Sequence, residues 1–259
     1  MKIAILITLL IFGLAAGGYW GWNQYFNKAT VETWSLVPNT ALTVYETDRI
    51  MLVWNELQSN PIWRDLLSIP YINQMKERFE GLDALLGEEA SLTRLLAGKQ
   101  VLISSHMVGP SELDHLFIFP VSGTEALRAA SSIKKQLEQE TSVRAETRNY
   151  KDFTIYDLYL TERDLQFSYI VYRDHFLGSF SAVLVEDAIR NIEVGSRDGF
   201  RQQHSQLLQV SRLRQDEGNL YIDFRHLGQL VSAFSKEKQS PWLGELSHLA
   251  KSGFLDLNA

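Results

Sequence analysis

Along most of the chain, apolar residues recur at one of two spacings: every second residue for a half-buried strand, or every third to fourth for one helix face. Residues 41–46 alternate Leu42 and Val44 with Thr43 and Tyr45, a strand pattern. Ile50, Val53, Trp54 and Leu57 then fall at i, i+3, i+4 and i+7, one helical stripe with Thr47 or Asp48 placed to cap it. Pro61 suits the first turn of a helix running through Leu67, and Pro70 opens another over 71–86 that Gly87 would close. A short helix over 89–97 ends at Gly98. Residues 100–106 and 116–121 read as strands joined through Gly109-Pro110-Ser111-Glu112. Leu116, Phe117, Ile118 and Phe119 are apolar without a break, as in a central strand covered on both faces.

Ser122 and Glu125 form a capping box for a helix whose predicted buried face is Leu127, Ala130, Ile133 and Leu137. Four strands follow, over 142–147, 153–160, 165–172 and 175–180, and their short polar joints predict an antiparallel meander. A helix over 181–192 directs Val185, Ala188, Ile189 and Ile192 inward, and another covers 202–213. A strand over 218–224, a helix over 227–234, a helix after Pro241 and a last strand from Gly253 complete the pattern. Without regular strand–helix alternation, the expected class is α+β: a largely antiparallel sheet with helices packed on one side of it.

The N terminus departs from this pattern. The run 3–22, bounded by Ile3 and Trp22, carries no charged side chain. As a helix it measures about 30 Å, one bilayer core, with Tyr19, Trp20, Trp22 and Tyr25 at the end where aromatic rings favour the headgroup layer. It reads as one N-terminal transmembrane helix. The alternative is a cleaved signal peptide, with Lys2 ahead of the apolar region and Ala15-Ala16-Gly17 as the cleavage site. Either places the body outside the cytoplasm, in the periplasm, and Lys2 ahead of the run favours a cytoplasmic N terminus for the anchor.

The organisation expected is an anchor or signal peptide over 1–28, a stalk over 29–40, an extracytoplasmic α+β domain over 41–217, and over 218–259 the truncated start of a second, related unit. That last boundary rests on an internal echo. Leu42-Thr-Val-Tyr, the stripe from Ile50 and the Pro61-Ile-Trp63 start recur as Leu220-Tyr-Ile-Asp, a stripe from Leu227 and Pro241-Trp242, at offsets of 178, 177 and 180 residues.

Composition narrows the function. The 259 residues carry 25 Lys+Arg against 31 Asp+Glu, a net charge of −6, which argues against a nucleic-acid partner. Apolar residues at 45% exclude a disordered chain, and the absence of cysteine excludes disulfides, thiolate zinc sites and a cysteine nucleophile. None of the six histidines has metal-ligand spacing. His106 and the Asp114-His115 pair flank one hairpin connection and are the weak candidates for a site. Ser104-Ser105-His106 with Asp114 holds the letters of a nucleophilic triad, but Ser105 and His106 are adjacent on a strand and point to opposite faces, and Ser104 and His106 share a face at a two-residue spacing that is rarely catalytic. No catalytic, cofactor-binding or metal-binding residue is assigned.

The hydrophobic N terminus, Trp34-Ser-Leu-Val-Pro38, Asn60-Pro61-Ile-Trp63, Val101-Leu-Ile-Ser-Ser-His106 and Leu116-Phe-Ile-Phe-Pro120 resemble an uncharacterised family of membrane-anchored bacterial cell-envelope proteins, a domain of unknown function of Bacteroidetes type. The resemblance covers most of the 259 residues as the N-terminal part of a longer chain, and it implies an anchored, exported, non-catalytic body. The expected function is therefore binding, scaffolding or assembly in the cell envelope, with the membrane as one partner through Ile3 to Trp22 and another envelope protein as a second. The alternative is an envelope hydrolase acting on a glycan or lipid through residues that only the fold brings together.

Overall fold

A computed structural model describes residues 31–86, 91–110, 112–139, 143–161, 164–195, 199–208, 218–226, 228 and 251–257. The run 3–22, Gly87, nearly all of the predicted helix at 227–234 and the region after Pro241 up to 250 lie outside the described residues. Among those described, no helix is long and apolar enough to cross a membrane.

The described chain is α+β, built on one nine-stranded sheet in which every neighbouring pair is antiparallel. In chain order the strands are β1 Thr43–Thr47, β2 Val101–Gly109, β3 Glu112–Pro120, β4 Val143–Tyr150, β5 Phe153–Leu160, β6 Leu165–Tyr172, β7 His175–Ser179, β8 Gly218–Asp223 and β9 Ser252–Leu257. They lie side by side as β4-β5-β6-β7-β3-β2-β1-β8-β9. The unbroken apolar strand, β3, is fifth of the nine, and Leu116 to Phe119 are all buried. Strands β4 to β7 form the expected meander, with Lys151 and Arg173 in left-handed conformation at its two-residue turns. The outer strand β4 exposes Arg144 and Glu146, charges that discourage pairing with another chain.

The helices are α1 Ile50–Ser59, α2 Ile62–Leu66, α3 Pro70–Leu86, α4 Leu92–Leu96, α5 Gly123–Gln139, α6 Ala182–Glu193, α7 Phe200–Gln203 and α8 Ser205–Leu208. They cover both faces of the sheet, correcting the one-sided layer expected from sequence. The reason is that the central strands are apolar on both faces. Leu102, Leu116, Ile118 and Leu177 face one way and Ile103, Phe117, Phe119 and Phe176 the other, so each side needs a cover. On the first face α6 buries Leu184, Val185, Ala188 and Ile189, joined by Phe200 and by Trp34 and Leu36 of a 3-10 turn, Thr33–Leu36. On the second face lie α1, α3, α4 and α5.

Several boundaries shift. The N-cap of α1 is Arg49, not Thr47 or Asp48; Thr47 Oγ1 instead accepts the Arg49 N–H at 3.0 Å. The helix expected over 202–213 begins at Phe200 and breaks at His204, which separates two single turns. The capping box of α5 forms as read: Ser122 N–H donates to Glu125 Oε2 at 2.7 Å and Glu125 N–H to Ser122 Oγ at 3.3 Å. The buried face of α5 is nevertheless rotated by about one residue. Leu127 is 72% exposed, whereas Ala126, Ala129 and Ile133 face the sheet.

The two echoing strands are direct neighbours. β8 pairs β1 with Tyr221 opposite Val44, and β9 continues the same sheet beyond β8. Each echoing strand is followed by an antiparallel neighbour reached through a long connection, β2 for β1 and β9 for β8.

Candidate functional site

Between the second face of the sheet and its helices lies a cavity of about 330 Å³. Its floor is aromatic: Phe117 and Phe119 from β3, Phe167 and Tyr169 from β6, and Phe176 from β7. The Phe176 ring stacks on Phe119 at 4.8 Å, on Tyr169 at 5.2 Å and on Phe167 at 6.2 Å between centroids. This stacking requires Gly178, whose missing Cβ would lie 2.6 Å from both the Phe167 and Phe176 rings. Burial of Tyr169 pushes its phenol up to about 12.

The roof comes from four helices. Phe79, Leu82 and Leu86 project from α3, Leu95 from α4, and Ile50 and Trp54 from α1. The fourth wall is α5, which presents Ala126, Ala129 and Ala130 where larger side chains would fill the space. The room exists because α5 directs its alanines inward and Leu127 outward. Helix α1 has six apolar residues in its first eight, yet none is fully buried.

Among the described residues, Glu80 and Asp83 are the charged ones lining the cavity, and both are exposed, as are Ala130 and Val171; these four mark where it opens. Glu80 pairs with Lys76 at 2.7 Å, and Asp83 Oδ1 accepts the Leu92 N–H at 2.7 Å, tying α3 to the start of α4. The interior offers an apolar surface and ring faces, a lining suited to hydrocarbon and with little to polarise a bond.

The residues singled out from sequence lie elsewhere. His106 is directly opposite Asp114, and Ser105 opposite His115, so strand alternation puts His106 and His115 on opposite faces of the sheet. His106 is fully buried, with Thr40 Oγ1 at 2.9 Å from Nδ1 and Ser104 Oγ at 2.8 Å from Nε2. Burial holds its imidazole down at about 3, helped by His115. His115 sits between Ser105 Oγ at 3.0 Å and Tyr71 OH at 2.6 Å, and burial with Arg78 nearby lowers it to about 4. Asp114 is raised by burial, against the Arg78 guanidinium 3.5 Å away. The trio is thus divided between two hydrogen-bonded networks, and among the described residues no group of three or more His, Asp or Glu is arranged to hold a metal.

Other buried polar groups serve the fold. Glu46 accepts hydrogen bonds from Trp34 Nε1 and from Tyr221 OH, each at 3.1 Å, joining the 3-10 turn to β1 and β8. Arg148 bridges Asp157 at 2.8 Å and Glu186 at 2.6 Å, fixing α6 to the sheet. Asp223, fully buried, is gripped by Arg225 through both oxygens, with His204 and His226 at 3.3 and 3.2 Å. Burial alone would raise its carboxyl, but Arg225 outweighs it and holds it low.

The cavity residues escaped the sequence reading. The signal that could have found them is the spacing of Ala126, Ala129, Ala130 and Ile133, a helical stripe one step from the leucine stripe chosen. Comparison with protein-family models, curated proteins and solved structures finds no match.

Proposed function

We propose that this chain is a non-catalytic binding protein of the cell envelope, held to the membrane through residues 3–22, with its body outside the cytoplasm. The cavity under α1, α3, α4 and α5 is where it binds an apolar molecule. The observation that carries this reading is the lining: hydrocarbon and aromatic rings throughout, with carboxylates only at the opening. The uncharged N-terminal run and the resemblance to anchored envelope proteins support the location.

The test uses Trp54, which lines the cavity. In full-length protein held in lipid nanodiscs, 1-bromodecane should quench a component of tryptophan emission that Trp54→Phe lacks. Ala129→Phe, which fills the cavity from α5, should abolish that component while leaving the circular dichroism unchanged. Quenching of Trp54 that is identical in Ala129→Phe would refute binding in the cavity.

A further inference from the structure

The size and rim of the cavity narrow the class of molecule it takes. An apolar cavity of about 150 Å³ takes one benzene, so about 330 Å³ takes roughly a dozen carbons, about eleven methylenes of a chain. That is one medium-length chain and not the two chains of a diacyl lipid. Among the described residues the lining carries no cation, so none of them offers a buried partner to an anionic head. At the opening the charged lining groups are the two carboxylates, Glu80 with Lys76 beside it and Asp83. A carboxylate head arriving there meets like charge, and a neutral or zwitterionic head does not.

We propose that the cavity takes one unbranched acyl chain of about eleven methylenes from a lipid with an uncharged or zwitterionic head, with the chain between the aromatic floor and the alanine face of α5 and the head at Glu80 and Asp83. This rests on the reading of the body as a binder of apolar molecules. The entering chain passes between α3 and α5, where Ala130 leaves the wall low.

The experiment is displacement of 1-bromodecane from full-length protein in nanodiscs by lysophosphatidylcholines with acyl chains of 8 to 16 carbons. A second arm uses dodecanoate, and a third a monoacylglycerol of the same length. Affinity should rise about fourfold per methylene, from its transfer free energy, and level off near 12 carbons. The monoacylglycerol should match the lysophosphatidylcholine, and dodecanoate at pH 8 should bind at least tenfold more weakly. Glu80→Gln with Asp83→Asn should narrow that gap. Affinity still rising through 16 carbons, or dodecanoate binding as well as the neutral lipid, would overturn the proposal. So would failure of every chain to displace 1-bromodecane that still quenches Trp54, an outcome that leaves the broader reading standing. Absence of Trp54 quenching at the outset would instead remove the broader reading.

Discussion

Leu127 and Ile133 lie on the same helix, α5, yet Leu127 is 72% exposed and Ile133 only 7%. The difference decides which side of α5 supports the fold. Ile133→Ala should lower stability by about 2–4 kcal/mol in urea unfolding, because it deletes buried methyl groups against Phe117 and Leu158 in the same core cluster. Leu127→Ser should change it by no more than about 0.5 kcal/mol. Equal effects of the two changes would place the helix in the other rotation, with the leucine inward and the cavity closed.

Much of this architecture was legible because it rests on local rules. Alternating runs, the unbroken apolar run and the polar joints between them marked the nine strands of the described sheet, and the Ser122–Glu125 box marked the start of α5. The uninterrupted Leu116–Phe119 run marks a strand buried on both faces, and such a strand requires helices on both sides of the sheet. The rotation of α5 was hidden for a physical reason. A cavity wall needs small residues inward, and a hydrophobic-stripe reading always assigns the largest apolar residue to the core. The separation of His106 from His115 was hidden by register: only the pairing of Ser105 with His115 shows which face each occupies.

Gly178 provides a second check on the cavity floor. A Cβ there would meet the Phe167 and Phe176 rings at 2.6 Å, so Gly178→Ala must push at least one ring toward the helices. The expected cost is about 1–3 kcal/mol of stability, the range for overpacking a filled site. Phe176→Leu should relieve the part of the clash made with that ring, the Phe167 contact remaining, so the double variant should be more stable than the sum of the single changes predicts.

Two histidines, the fully buried His106 and the half-buried His115, set an acid limit. Their folded values, about 3 for His106 and about 4 for His115, lie below the ordinary value near 6.5, so the unfolded chain binds protons that the folded chain does not. Stability is therefore intact above pH 6.5 and falls as pH drops toward 4, with each histidine contributing up to about 1.4 kcal/mol per pH unit. Asp114, raised by burial, acts in the opposite sense at the acid end of this window. Denaturant unfolding between pH 7 and 5 should show the loss, and His115→Gln should make the slope shallower, with His204, also lowered by burial, keeping a share of it. A flat profile would mean that both imidazoles are solvated when charged.

The last prediction concerns the proposed membrane anchor. The run 3–22 has no charge, and its length as a helix, about 30 Å, matches the hydrocarbon core. The proposed uptake of lipid chains gives an anchor a purpose, because a lipid leaving the bilayer unaided loses about 0.8 kcal/mol per exposed methylene. The full chain should stay with the membrane fraction through high-salt and carbonate washing and should retain its N terminus. Leu10→Arg places a cation near the middle of the run and should weaken insertion by about 2.5–3.5 kcal/mol, moving protein into the soluble or unexported fraction. An N-terminal sequence beginning at or near Gly18 would show a cleaved signal, and the body would then have to reach its lipid through solution.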